Sequence, residues 1–98
     1  MNEFETEIKE KIELKKPKMY KVILLNDDYT SMEFVVNTLI TIFHKNESEA
    51  YAITLQIHND GSGLCGVYTY EIAETKVAQV TNDAKKNKFP LRAVMEDE

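Results

Sequence analysis

Four places in this 98-residue chain carry side chains able to do chemistry: the run Asn26-Asp27-Asp28, His44, His58 and Cys65. Two carboxylates side by side suggest acid–base work on one bond. Neighbours at the end of a strand project to opposite sides, however, so Asp27 and Asp28 do not flank a common atom. A metal site needs several ligands at set spacing. His44 and His58 are separated by a helix turn and a loop and the chain has one cysteine, so no metal and no cofactor is expected. Cys65 as a nucleophile would want an adjacent base and an oxyanion pocket; a lone cysteine in an apolar run is more simply a small buried hydrophobe. A hydrolase built on Cys65, or on an Asp27/His58 pair, would turn a substrate over, whereas a binding module would capture its ligand stoichiometrically and release no product. What these readings leave unexplained is the density of polar groups in Asn26–Asp28. A turn needs one or two such residues, and here three interrupt an apolar run.

The elements that position these residues follow from hydrophobic spacing. Tyr20–Leu25 is rich in β-branched and aromatic residues and predicts a strand ending at the polar turn. Thr30-Ser31-Met32-Glu33 has capping-box spacing, with Thr30 as the expected cap. Met32, Val35, Val36, Leu39, Ile40 and Phe43 then keep a helical period to about Lys45. Asn46–Glu49 offers a second helix start, and Ala50, Ile53 and Ile57 form its stripe. That helix should end near His58, because Asn59-Asp60-Gly61-Ser62-Gly63 supplies turn chemistry. Leu64–Tyr68 predicts a strand in which Gly66 leaves room for another backbone or a ligand. Thr69 is the expected cap of a third helix, with Glu71 in its first turn and Ile72, Ala73, Val77, Val80 and Ala84 buried. Lys85, Lys86 and Lys88 suit its last turn, Pro90 stops it, and Leu91–Met95 alternates as a final strand. The order β-α-α-β-α-β predicts an α+β sandwich: one three-stranded antiparallel sheet with three helices on one face.

Composition narrows the function. Seventeen acidic against twelve basic residues, a net charge of −5, argues against a nucleic-acid binder and fits a partner with positive charge. A chain this short makes one domain with a marginal core, which leaves no room for a separate substrate domain. No stretch approaches the ~20 apolar residues that cross a bilayer, and MNEFETEIKEKIELKK lacks the basic start and apolar block of a signal peptide. No membrane association is expected. With a single cysteine, the expected location is the cytoplasm. Residues 1–18 hold five Glu and five Lys, so the acidic excess lies entirely beyond them. This boundary predicts a flexible extension over 1–17, with a thin stripe of Phe4, Ile8 and Ile12, before a core domain over 18–98.

Three blocks carry a family resemblance: YKVILLNDDYTSMEFVV, IHNDGSGLCGVYTYEIAETKVAQV and PLRAVME. Together, from about Pro17 to Glu96, they resemble the ClpS family, bacterial adaptors of the ATP-dependent Clp protease. The resemblance implies a non-catalytic, monomeric adaptor that binds the N-terminal residue of N-end-rule substrates, namely Leu, Phe, Tyr or Trp. It would hand them to the ClpA unfoldase of the ClpAP protease. On the matching positions, Asn26, Asp27 and His58 are implied to bind the substrate's α-amino group. Leu25, Asp28, Thr30, Met32, Val35, Thr54, Ile57 and Leu91 would wall the side-chain pocket, and Glu71 and Lys76 would contact the ClpA N-terminal domain. The counterpart of Met32 acts as a gate against β-branched N-terminal residues. Three positions depart from the family pattern: Ser31 replaces a frequent Pro, which suits a helix's first turn equally, Thr54 replaces a usual Met, making the wall shorter and partly polar, and Phe89 stands before Pro90 where His is frequent, a change to which no function is attached.

Overall fold

The computed structural model describes residues 17–98. The implied extension over 1–17 and the stripe of Phe4, Ile8 and Ile12 therefore lie almost wholly outside the described residues. The elements run β1 (Met19–Leu25), α1 (Met32–Thr41), α2 (Glu47–Asp60), β2 (Ser62–Thr69), α3 (Tyr70–Lys86) and β3 (Arg92–Asp97). The sheet is antiparallel with β1 in the middle, in the order β2-β1-β3. This is the expected α+β fold.

Alternation on β1 explains the layering. Val22 and Leu24 are fully buried against the helices, while Lys21, Ile23 and Leu25 lie on the other, partly exposed face. The core under the helices gathers Leu39, Phe43, Ala50, Ile57, Ala73, Val80 and Leu91. Cys65 is fully buried among them, and burial pushes its thiol up to about 12, so it is a packed hydrophobe rather than a nucleophile. The pairing shifts by one residue between Val22 and Ile23, whose partners are Gly66 and Leu64, so Cys65 is the extra residue of a bulge.

Several local expectations are corrected. The cap of α1 is Ser31, whose hydroxyl accepts from the Phe34 N–H at 3.1 Å, and not Thr30. Thr69 occupies the N-cap position of α3 but makes no side-chain capping bond. The space at Gly66 is filled by neither a ligand nor another backbone: the ring of Tyr68, two residues on along the same face, lies where a Cβ would stand. Ile72, expected on the buried face of α3, is 49% exposed. The expected start of α2 is present as a reciprocal pair. Asn46 Oδ1 accepts from the Glu49 N–H at 2.8 Å and Asn46 Nδ2 donates to Glu49 Oε1 at 3.1 Å.

Candidate functional site

The turn after β1 is built by Asp27. Its Oδ1 accepts the backbone N–H groups of Tyr29 at 2.8 Å and Thr30 at 2.6 Å, and its Oδ2 accepts the Thr30 hydroxyl at 2.7 Å. In this local carboxylate turn the Thr30 hydroxyl is turned to Asp27, and the capping bond at the start of α1 is made by Ser31. Burial pushes the Asp27 carboxyl up, but the donors from Thr30 and Tyr29 outweigh it and hold the group below its usual range. A carboxylate has about four lone-pair sites. Three are taken, so one on Oδ2 remains open.

A single backbone bond brings the second half of the site alongside. The Asn26 N–H donates to the Gly61 carbonyl at 2.9 Å, tying the end of β1 to the end of α2. Gly61 can hold that position because it closes α2 in the left-handed conformation, with φ 90°. His58 sits one turn before this cap and is exposed on the same side. Among the described residues, no other side chain engages the Asn26 amide or the His58 ring.

Between the turn and the two helices lies a cavity of about 230 Å³, lined by Asn26, Asp27, Asp28, Thr30, Met32, Val35, Thr54, Ile57 and His58. Drug-sized ligands occupy roughly 300 Å³ or more. This space instead suits one large side chain. Thr54 is buried and its hydroxyl donates to the Ala50 carbonyl at 2.8 Å, which leaves its methyl for the wall. Met32 is 41% exposed and covers the cavity rather than packing in the core. Two of the implied wall residues lie elsewhere. Leu25 borders an adjoining depression with Pro90 and Arg92 that shares Asn26 and Asp27 with the cavity, and Leu91 is buried in the core.

The implied unfoldase contacts are also divided. Glu71 is exposed in the first turn of α3. Lys76 turns inward: its Nζ donates to the Ile42 carbonyl at 2.6 Å, at the C-terminal end of α1, and lies 5.9 Å from the centre of the Tyr68 ring. That role was not legible from sequence, because nothing in the spacing links Lys76 to Ile42. Lys76 borders a wider depression of about 600 Å³ with Thr41, His44, Gln79, Asp83 and Lys86. It is larger than the first cavity but more open, so size alone does not make it the ligand site. Among the described residues no three His, Cys, Asp or Glu side chains cluster to hold a metal, and no helix is long and apolar enough to cross a membrane.

An α+β core with a side-chain-sized cavity beside unspent polar groups fits a small ligand-binding module. The family model of the ATP-dependent Clp protease adaptor protein ClpS matches residues 15–94, and the chain belongs to this family of non-catalytic adaptors. Its similarity to an ATP-dependent Clp protease adapter protein ClpS of Wolinella succinogenes is 54% identity over 96 residues, covering 98% of this chain and 94% of that protein. A ClpS of Acetivibrio thermocellus is 59% identical over 87 residues, covering 89% and 88% of the two chains. Among solved structures, Agrobacterium tumefaciens ClpS2 bound to L-phenylalaninamide matches with a TM-score of 0.82 and 41% identity, over 85% of this chain and all of that one.

Proposed function

We propose that this adaptor captures proteins by a free N-terminal Leu, Phe, Tyr or Trp and delivers them in the cytoplasm to a ClpA-type unfoldase of the Clp protease. The carrying observation is the pairing of three unspent acceptors with a cavity for one side chain. An α-ammonium has three N–H donors and no acceptor. The open lone pair of Asp27, the Asn26 amide oxygen and a neutral His58 nitrogen supply three acceptors, one of them charged, which roughly doubles the strength of that bond. The ammonium also meets the C-terminal end of α2, where the helix dipole favours a cation. The terminal side chain enters between Met32, Val35, Thr54 and Ile57, and burying it is worth about 1.5–3 kcal/mol. The ligand of ClpS2, L-phenylalaninamide, has this chemistry: a free α-amine, a large apolar side chain and a blocked carboxyl.

The deciding experiment is calorimetric titration with a Leu-initiated peptide and its N-acetylated twin. The free peptide binds at one site per chain and the acetylated one loses at least a hundredfold in affinity; equal affinities would exclude an amine site. Residues 1–17 act in delivery rather than in binding. Deleting residues 1–16 should leave peptide affinity unchanged and impair ClpA-dependent degradation, measured with the same N-terminal Leu tag on a fluorescent substrate.

A further inference from the structure

The face of the sheet turned away from the helices breaks the usual pattern of an antiparallel sheet. Where helices cover one side only, the positions facing the other way are ordinarily polar. Here Ile23 on β1 stands between Leu64 on β2 and Val94 on β3, so one apolar row crosses all three strands, with Val67 beside it in the row of Lys21. Leu64 is 43% exposed, and none of the four belongs to the core or to the apolar groups packed against it. Two exposed charges mark the ends of this face: Arg92 opposite Leu25, and Glu96 opposite Lys21.

We infer that residues 4–12 of the same chain dock on this face as an amphipathic helix lying along β1. Phe4, Ile8 and Ile12 recur every fourth residue and would form one apolar stripe, about 12 Å long at a rise of 1.5 Å per residue. Lys21 to Leu25 spans about 13 Å of strand, so the two match in length. Connectivity sets the direction. The segment joins the sheet at the start of β1, the central strand, and residues 13–17 reach about 17 Å, enough to reverse the chain. Ile12 then lies over the Lys21 end and Phe4 over the Leu25 end. Charge agrees with this direction: residues 1–8 carry Glu3, Glu5 and Glu7 and no Lys or Arg, toward Arg92, whereas residues 9–16 carry four Lys against two Glu, toward Glu96. A lone helix of this length is marginal in water, and the sheet supplies the apolar surface it lacks.

The test uses the full chain carrying a nitroxide on Glu10→Cys, a position on the side of the helix away from the stripe; Cys65 is fully buried and stays unmodified. The amide NMR signals of Ile23, Leu64 and Val94 should lose about half their intensity or more, while that of Tyr51, on the helical side of the sheet, keeps its own. Adding Ile8→Asp, which alters no residue of the sheet or its helices, should restore the lost intensity. Full intensity at Ile23, Leu64 and Val94 in the nitroxide-bearing chain overturns the inference, as does equal loss at Tyr51 or a loss that survives Ile8→Asp. A final arm mixes isotope-labelled chain without nitroxide with unlabelled chain that bears it. Intensity lost in that mixture would seat a second copy's segment on the face and overturn docking within one chain; unchanged intensity supports it.

Discussion

The two ends of α1 carry the same ingredients, a polar cluster beside a depression, and use them oppositely. At the C-terminal end, the Lys76 ammonium is bonded to the Ile42 carbonyl and the depression beside it is wide and open. At the N-terminal end, Asp27 organises the turn with three bonds yet keeps one acceptor site, next to an unengaged amide and imidazole and a smaller, more enclosed space. The difference teaches that unspent hydrogen-bonding capacity in a confined space marks a ligand site better than volume does. Lys76 also keeps N–H donors beyond the one it gives to Ile42. What separates the two ends is enclosure: donors facing an open depression meet water, whereas acceptors in a confined space can meet a ligand.

The largest expected effect comes from removing the carboxylate. Asp27→Ala should weaken a Leu-initiated peptide by a hundredfold or more, because the bound ammonium loses its anionic partner and the turn loses its organiser. Asp27→Asn separates the two causes. It keeps a carbonyl oxygen for the Tyr29 and Thr30 N–H groups but no charge, so it should melt between wild type and Asp27→Ala and still bind poorly, as titration and thermal denaturation would show. Strong binding by either variant would break the comparison at its polar end.

Met32→Ala comes next. A β-branched terminal residue places its second branch beside the anchored amine, where a stiff χ1 cannot swing it away from Met32. Removing the thioether should improve Ile- and Val-initiated peptides by about tenfold relative to Leu, a cost of the size seen for overpacked contacts. An unchanged Ile-to-Leu ratio accompanied by lost stability would make Met32 a packing residue instead.

Lys76→Met sharpens the opposite end. Peptide affinity should stay within twofold of wild type, while loss of the bond to Ile42 costs about 1 kcal/mol, roughly 4–8 °C in a domain of this size. Normal stability with defective degradation would instead make Lys76 an unfoldase contact alone. The smallest effect is the acid response of the turn. The folded pKa of Asp27 is lowered, so its stabilising contribution is present above the ordinary carboxylate range, near ~4, and is lost as pH falls through the lowered value. The stability difference between wild type and Asp27→Ala should be constant from pH 7 to about 5 and shrink below about 4. A difference that grows on acidification would reverse the sign and remove the hydrogen-bonded carboxylate as its cause.

Much of the fold was legible in the sequence because the deciding forces are local. Period-3.6 and period-2 spacing determined the element order, Asn46 and Gly61 determined the ends of α2, and the buried fate of Cys65 followed from its apolar strand. Where two readings used the same local chemistry, sequence could not choose. Thr30 and Ser31 are both competent caps; in the fold the Thr30 hydroxyl is turned to Asp27 and Ser31 makes the capping bond. Ile72 fits the apolar spacing of α3, yet it lies 49% exposed beside the fully buried Ala73.

The sequence by itself determined the inventory of the site: an amide, a carboxylate and an imidazole of the types an ammonium requires, and a turn whose hydrogen bonds reach no more than three residues along the chain. Only the tertiary structure decided that these groups share one space. The Asn26 N–H to Gly61 carbonyl bond docks α2 against the turn, brings His58 beside Asp27 and closes the cavity with Thr54 and Ile57. The same kind of long-range choice spent Lys76 on Ile42. Such contacts depend on how whole faces pack, a property of the sum of many weak apolar contacts rather than of any short stretch of residues.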